Sequence, residues 1–533
     1  MSTITKHSIS NFNDALASFL TTNGVEGFKS SIYCLNDGLP TIGAGYTLIT
    51  KSTSGEYSVR LEYKADFAKS GIVLNNTQTD ALDIALNYAK AQLVKGITNY
   101  SFDQFTNLNL TITIDQAKAL AITQFDEEEF GHALNRVKKW LGDNKWAGDN
   151  ETIYNRLKDS KEMLVLADLA YNNFIKASGS GCPSLKNAIL SSNRAEAWYE
   201  IRYNTGGGLA RRIAEAGIFG LYNDPANVTK EDATMIYQMF TRNRDTMLSF
   251  EAANKTAISG GQAILESNAG LGTVQPLEEE LQTAANYLIN EYGQSKNFNP
   301  LNIQVSSLNT PVLLGEDTTD NTGSIDDLLI GSDERNDIMG GESGNDVLIG
   351  GAGDDTLEGG KGDDILVGGK GLDTYIWSTG DGNDRIIDEG DGIISINYGP
   401  GQKFFTAGGF IREGTSNVWK MAASDGSTLT LTHNSPWKLI LADGSALELG
   451  DFQDGDYGMR LFEEPPSDFD LTLTGTANHD EMGLFGNGST WELSFTSFRA
   501  GVTSNKPFYT RILSGYAPRL KVNGGGSGDF LFG

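Results

Sequence analysis

Apolar residues recur three and four positions apart from Ile114 to Phe125 and from Met163 to Asn173, the spacing that lines one face of an α-helix. Thr113-Ile114-Asp115-Gln116 sets a capping threonine three residues before a glutamine, which predicts a helix start there. This helical pattern runs from about Phe12 to Asn223 with one strand-like interruption: Ile32-Tyr33 and Thr41-Ile42 flank Asn36-Asp37-Gly38, the signature of a tight hairpin. Helical spacing resumes from Thr229 to about Ser307, and its Gly/Ala/Ser-rich middle, Ala257 to Val274, predicts a flexible break. Beyond Gly315 the chain turns to Gly and Asp. After Gly392 short apolar runs such as Trp437 to Leu441, separated by Asp-Gly turns, predict strands. The pattern divides the chain into a mainly helical domain (1–225), a helical connector (226–315), a Gly/Asp repeat region (316–395) and a β-rich region (396–533), a multidomain α+β protein.

The repeat region is strictly periodic. Aspartates stand every nine residues at Asp337, Asp346, Asp355, Asp364 and Asp373, with Gly344, Gly353, Gly362 and Gly371 two positions ahead of the last four. Two positions after those four come Leu348, Leu357, Leu366 and Tyr375. Glycines permit tight turns with inward carbonyls, and one apolar residue per unit supplies one rung of core. Stacking such units piles carboxylates together, and a hard cation with oxygen ligands, Ca²⁺, relieves the repulsion. Asp346, Asp355, Asp364 and Asp373, with the carbonyl-bearing turns of Gly344, Gly353, Gly362 and Gly371, are therefore the expected calcium ligands, and metal binding is expected to drive folding.

Charge agrees with this division. The chain of 533 residues carries a net −28, yet residues 1–224 hold 22 Lys+Arg against 24 Asp+Glu, while the remainder holds 19 against 45. A surface so acidic repels phosphate backbones, which excludes nucleic acid as a partner. No run of eighteen apolar residues is present, so no membrane-spanning helix is expected. Cys34 and Cys182 are too few for a disulfide framework, and His7, His132, His433 and His479 form no metal-ligand spacing. The first twenty residues lack the basic and apolar segments of a classical signal peptide.

The nonapeptides, together with Asp373-Thr374-Tyr375 and Gly380-Asp381-Gly382-Asn383-Asp384, resemble the RTX (repeats-in-toxin) calcium-binding module over residues 331–392. The resemblance implies a parallel β-roll, export through a one-step (type I) secretion system and folding in extracellular calcium. The first unit departs from the pattern, because Ser332-Asp333-Glu334-Arg335 lacks the glycines, so Asp337 is expected to cap the stack without a complete site. Gly524 to Asp529 resemble the opening of a further repeat, as if the chain continued.

The N-terminal region resembles phage-type lysozymes, the muramidase group that includes the T-even phage enzymes. Glu26 stands at a helix end and Thr41 opens Thr41-Ile42-Gly43-Ala44-Gly45-Tyr46 at that family's spacing; Leu169 to Asn173 and Gly208-Leu209-Ala210-Arg211-Arg212 with Glu215 match a second block. About 210 residues are covered, with an excess between Lys51 and Thr111. The resemblance implies hydrolysis of the β-1,4 bond between MurNAc and GlcNAc in peptidoglycan strands. Glu26 would be the general acid and Thr41 would place water, with Tyr46, Tyr171 and Asn172 lining the sugar groove. Leu35 occupies the position of that family's middle carboxylate, and Asp37, two residues on, is either its replacement or a turn residue. Arg211, Arg212 and Glu215 read as an ion-paired packing helix. The alternative is a lysozyme-like domain that has lost catalysis and binds glycan or a surface beside an RTX adhesin module.

Overall fold

The computed structural model describes residues 3–463 apart from 35, 53, 130–131, 317–323, 389–391, 400–401, 407 and 423–427. Beyond 463 it describes the backbone of 471–474, 480–486, 491–497, 508–512, 520–523 and 530–532. Leu35 and the segment 524–529 thus lie outside the described residues. The chain forms two compact units, residues 1–239 with 243–283, and residues 240–242 with 284–533.

In the first unit the helix Phe12–Thr21 leads through a turn into the antiparallel strands Lys29–Cys34 and Pro40–Gly43, joined on the far side by Tyr46–Thr47. The Asn36-Asp37-Gly38 turn forms the hairpin as its sequence requires, and Gly38 has φ +78°. The segment between Lys51 and Thr111 supplies the helices Tyr63–Lys69 and Asn76–Val94. Their Phe67, Leu82 and Leu86 pack with Ile42 and Tyr46 of the hairpin into one core, so this segment covers the sheet. Thr113 and Gln116 make the expected capping box at the helix Ile114–Ile122. The helix Lys161–Tyr171 is central: every residue from Glu162 to Ala170 is buried, two carboxylates included.

The helical stretch after residue 226 is not a separate connector. The helix Lys230–Ala253, apart from 240–242, and the helix Lys255–Glu266 belong to the first unit, and 257–266 of the segment read as a flexible break lies within the second of them. Gly261 abuts the helix Leu209–Phe219: a Cβ there would stand 2.8 Å from Ile213 Cγ2 and 2.9 Å from the Ala210 carbonyl. These glycines serve close helix packing rather than flexibility.

The second unit contains the β-roll, which begins before the recognisable repeats. Ile303–Val305, Leu328–Ile330, Val347–Ala352, Ile365–Lys370 and Asn383–Ile387 are parallel neighbours in one sheet. Val312–Leu314, Ile338–Gly340, Thr356–Glu358, Thr374–Ser378 and Ile393–Gly399 alternate with them along the chain and form a second parallel sheet. Two nonapeptides thus make one coil. The in-phase residues Leu348, Leu357, Leu366 and Tyr375 are buried between the sheets, as expected, and Leu329, Met339, Ile386 and Ile394 extend the same core beyond the strict repeat. The following strands Gly408–Arg412, Val418–Ala422, Thr428–His433, Trp437–Ile440 and Ala446–Glu448 join the first sheet, which they enter by the parallel pairing of Ala446–Glu448 with Asn383–Ile387. Among the described residues no helix is long and apolar enough to cross a membrane.

Gly261→Ala separates the two readings of the 257–274 segment. In a free linker helix alanine stabilises by about 1 kcal/mol. Against the Ala210 carbonyl it forces a shift, and the expected outcome is a melting temperature of the first unit lowered by several degrees, read by thermal circular dichroism.

Candidate functional site

The roll folds its aspartates into two columns. In one, the backbone N–H of Asp327 donates to Asp346 Oδ1 at 2.7 Å, that of Asp346 to Asp364 Oδ1 at 2.8 Å, and that of Asp364 to Asp384 Oδ1 at 3.0 Å. In the other, Asp337 N–H donates to Asp355 Oδ1 at 2.6 Å and Asp355 N–H to Asp373 Oδ1 at 2.8 Å. Within each column the partners are one coil, usually 18 residues, apart. Asp346, Asp355, Asp364, Asp373 and Asp384 therefore each spend one carboxylate oxygen on the neighbouring coil. The other oxygen, Oδ2, has no hydrogen-bond partner on Asp346, Asp355 or Asp364, although all three side chains are buried.

The glycines are required by the stacking of the turns. A Cβ on Gly362 would lie 1.7 Å from the Gly344 carbonyl oxygen, and one on Gly371 2.0 Å from that of Gly353. Both residues have φ near +140°, as does Gly353, while Gly344 sits at +156°. The turns thus bring backbone carbonyls and unpartnered carboxylate oxygens close together, an all-oxygen donor set. Among the described residues no three His, Cys, Asp or Glu side chains converge on one point that could hold a metal. Side chains alone make no site here, and carbonyls must complete it.

Charge crowding shows in the acidities. Burial first, and the neighbouring Asp364 next among the groups that raise it, push Asp346 up to about 8. The same two causes, with Asp373 as the neighbour, bring Asp355 to about 7. Burial also raises Asp364 to about 6, and burial with Asp364 alongside raises Asp384 to about 8. Asp327 and Asp384 join the column although the nine-residue period stops short of them. The steps Asp327 to Asp337 and Asp373 to Asp384 are longer than nine, so periodicity alone passed over both.

The second constellation lies in the first unit. Glu26 follows the first helix, and its carboxylate, 23% exposed, meets Arg211 Nη1 at 2.6 Å. Arg211 comes from the helix Leu209–Phe219 and is gripped through Nε and Nη2 by the completely buried Asp168 of the central helix. Burial alone would raise Asp168, but the Arg211 guanidinium outweighs it and holds that carboxyl below its ordinary range. Burial, and then the Asp168 carboxylate beside it, push Glu215 well above its ordinary range. Arg212 Nη1 lies 2.5 Å from Glu215. The expected packing helix is thus also the anchor of Glu26, a role for Arg211 and Asp168 that the sequence reading missed. The Gly-Leu-Ala-Arg-Arg block carried the signal.

Gly45 completes the wall: its Cβ would stand 3.1 Å from Glu26 Oε2 and 2.7 Å from the Tyr171 hydroxyl. Tyr171 is half-buried, stacks on Phe125 and donates to the Ala44 carbonyl at 3.2 Å. Tyr33, raised by burial and then by Glu26, also borders this point. Glu26, Tyr171 and the Gly43-to-Tyr46 turn are therefore brought together. The other expected residues are placed differently. Asn172 donates to the Asp168 carbonyl at 2.9 Å, closing its own helix. Tyr46 is a core residue rather than a groove residue, 1% exposed, with its hydroxyl on Asp66 at 2.7 Å and Arg60 over its ring. Thr41 is fully buried and donates to the Leu39 carbonyl at 3.1 Å, so water reaches it only if the hairpin and its cover part. Asp37 is exposed, and its Oδ1 accepts the Leu39 N–H at 3.0 Å, which is the geometry of a turn residue.

Residues 340–375 match the RTX calcium-binding nonapeptide repeat in four copies. A search of curated proteins returned no sequence match to the chain. The chain therefore carries a calcium-binding RTX module, and Asp346, Asp355, Asp364 and Asp373 lie within the matched residues.

The raised pKa values fix a pH dependence. A carboxyl whose folded value lies above its unfolded one favours the fold when protonated. That contribution is full below about pH 4 and is lost as pH rises through about 6 to 8. In chelator, the melting temperature of the second unit is expected to fall between about pH 5 and pH 9. Saturating calcium, which binds the ionised form, removes that fall. Circular dichroism at both pH values, with and without calcium, checks it, and a calcium-free roll equally stable at each pH contradicts it.

Proposed function

We propose that the chain is an exported peptidoglycan hydrolase that cleaves the MurNAc–GlcNAc β-1,4 bond and is accompanied by a calcium-folded RTX module. The observation that carries this reading is the Glu26 carboxylate, half-open to solvent, fixed by Arg211 over the buried Asp168, beside the Gly43-to-Tyr46 turn and Tyr171. Glycosidic cleavage needs a positioned acid to protonate the leaving oxygen. Glu26 supplies it, Tyr171 offers the sugar an aromatic edge, and Thr41 places the attacking water only once the hairpin and its cover part to expose it. Export by a one-step secretion system into calcium-rich surroundings fits a module that completes its structure with calcium.

A second reading has its own support. Asp37, the candidate for the middle carboxylate, uses an oxygen to hold its turn, and Tyr46 lies in the core. A lysozyme-like domain that binds glycan without cutting it is consistent with both.

Hydrolysis of purified cell walls decides between them. Glu26→Gln is expected to lower the rate roughly 100- to 10,000-fold with little change in melting temperature. Full activity of that variant overturns the assignment, and binding without hydrolysis by the wild type favours the second reading. Asp37→Asn preserves an Asx turn, so if Asp37 only shapes the hairpin both rate and stability stay unchanged. A strong loss of rate at constant stability makes it the middle carboxylate.

A further inference from the structure

The segment between Lys51 and Thr111 does more than cover the hairpin sheet. Between its long helix Asn76–Val94 and the loop at 101–107 lies an open groove of about 310 Å³. The helix contributes Thr77, Asp80 and Ile84, spaced three and four residues apart and hence on one face, and the loop contributes Gln104, Phe105 and Asn107. Two successive turns hold the loop in shape: the Phe105 N–H donates to the Phe102 carbonyl and the Leu108 N–H to the Phe105 carbonyl, both at 2.9 Å. The buried Leu108 and Leu110 pin it to the core. Phe105 is set edge-on against Tyr88 with ring centroids 5.5 Å apart, and Tyr88 meets Tyr100 in the same way at 6.1 Å. The Tyr100 hydroxyl donates to the Gly38 carbonyl at the hairpin turn. A row of rings thus runs from the groove to the hairpin that carries Thr41.

The lining chemistry selects a class of ligand. Among the described residues that line the groove Asp80 alone is charged. No Lys or Arg is there to hold a phosphate or a carboxylate, and one carboxylate is too few for a metal ion. The Asp80 carboxylate makes no hydrogen bond or ion pair among the described residues, so both its oxygens face an incoming ligand as acceptors. Thr77, Gln104 and Asn107 add uncharged donors and acceptors, while Phe105 and the 61% exposed Ile84 add apolar surface. A neutral sugar answers both halves of such a wall, with hydroxyls around its rim and C–H groups on its faces. The volume stands near the low end of the roughly 300–1,000 Å³ of small-ligand sites, which suits a short saccharide.

We propose that this groove is a second saccharide-binding site, apart from the Glu26 cleft, and that it holds an N-acetylhexosamine unit of a glycan strand. Asp80 accepts the sugar hydroxyls, Gln104 and Asn107 pair with the acetamido group, and a C–H face of the ring lies against Phe105 and Ile84. The choice of an N-acetylated sugar rests on the peptidoglycan reading, whereas the preference for a neutral, hydroxyl-rich ligand rests on the groove itself. Phe105 and Tyr100 pack on the same core as Ile42 and Tyr46, so a strand gripped here is held by the body that forms one wall of the Glu26 site.

Co-sedimentation of the full chain with glycan strands stripped of their stem peptides tests the site, in a Glu26→Gln background that suppresses cutting. Asp80→Ala and Ile84→Glu alter exposed side chains. Each is expected to weaken binding about tenfold at an unchanged melting temperature. A soluble tetramer of β-1,4-linked GlcNAc is expected to compete, and free stem peptide is not. Unchanged affinity in both variants overturns the proposal, as does competition by stem peptide alone. Should Ile84→Glu lower the melting temperature, Asp80→Ala decides. Weakened binding in the variants together with a wild type that cuts no cell wall supports the groove and removes only the hydrolase reading. Cutting by the wild type with binding untouched by either substitution removes only the groove.

Discussion

The second unit depends on one conflict: its turns bury a column of like charges, and the backbone can satisfy only half of each carboxylate. One oxygen of each of Asp346, Asp355, Asp364 and Asp373 accepts an N–H from the adjacent coil, which fixes the register between coils. The other oxygen is left without a partner on three of them, and burial with like neighbours drives their pKa far up. A buried carboxylate in that state is tolerated only if protonated or matched by a cation. The fold is therefore tied to an ion in its surroundings, and the matched nonapeptide repeats identify that ion as calcium. Everything stacked beyond, from the Leu348–Leu357–Leu366 rungs to the sheet that continues through Ala446–Glu448, rests on coils held in this way.

The first unit resolves a similar conflict internally. Asp168 and Glu215 are buried side by side, but Arg211 and Arg212 from the helix that carries Glu215 pair with them. Such a cluster adds little net stability over apolar packing, because desolvation offsets most of the attraction. Its consequence is positional. With Arg211 gripped by Asp168, its remaining nitrogen is aimed at Glu26, and a carboxylate on a turn is fixed by a residue 185 positions away.

Glycine shows how one residue type answers different constraints in the two units. In the repeats, Gly362 and Gly371 adopt left-handed backbone angles and let carbonyls of successive turns approach within the space of a side chain. In the helix Lys255–Glu266, Gly261 has ordinary helical geometry, and its missing side chain lets the backbone of a second helix come close. Composition alone cannot separate these uses from a linker, since all three are rich in small residues.

The sequence by itself determined the roll. Aspartate, glycine and an apolar residue in fixed phase admit one arrangement in which each falls on its own side, so core rungs and the stacking of the aspartates were legible from spacing. It also determined the hairpin at Asn36-Asp37-Gly38 and the helix start at Thr113, because turns and caps are set by neighbours in the chain. Tertiary structure alone decided the rest. Strands at Ile303–Val305 and Val312–Leu314 lack the repeat and are strands because the next coil offers them partners. Asp384 joins its column through a coil of different length, and the 230–266 helices belong to the first unit through packing that no periodicity encodes. Arg211, Asp168 and Glu26 meet across long stretches of chain, and Tyr46 turned inward to Asp66 because the segment after Lys51 folds over it. Local rules reach a few residues in either direction; where a buried charge finds its partner is settled only when the whole chain has closed around it.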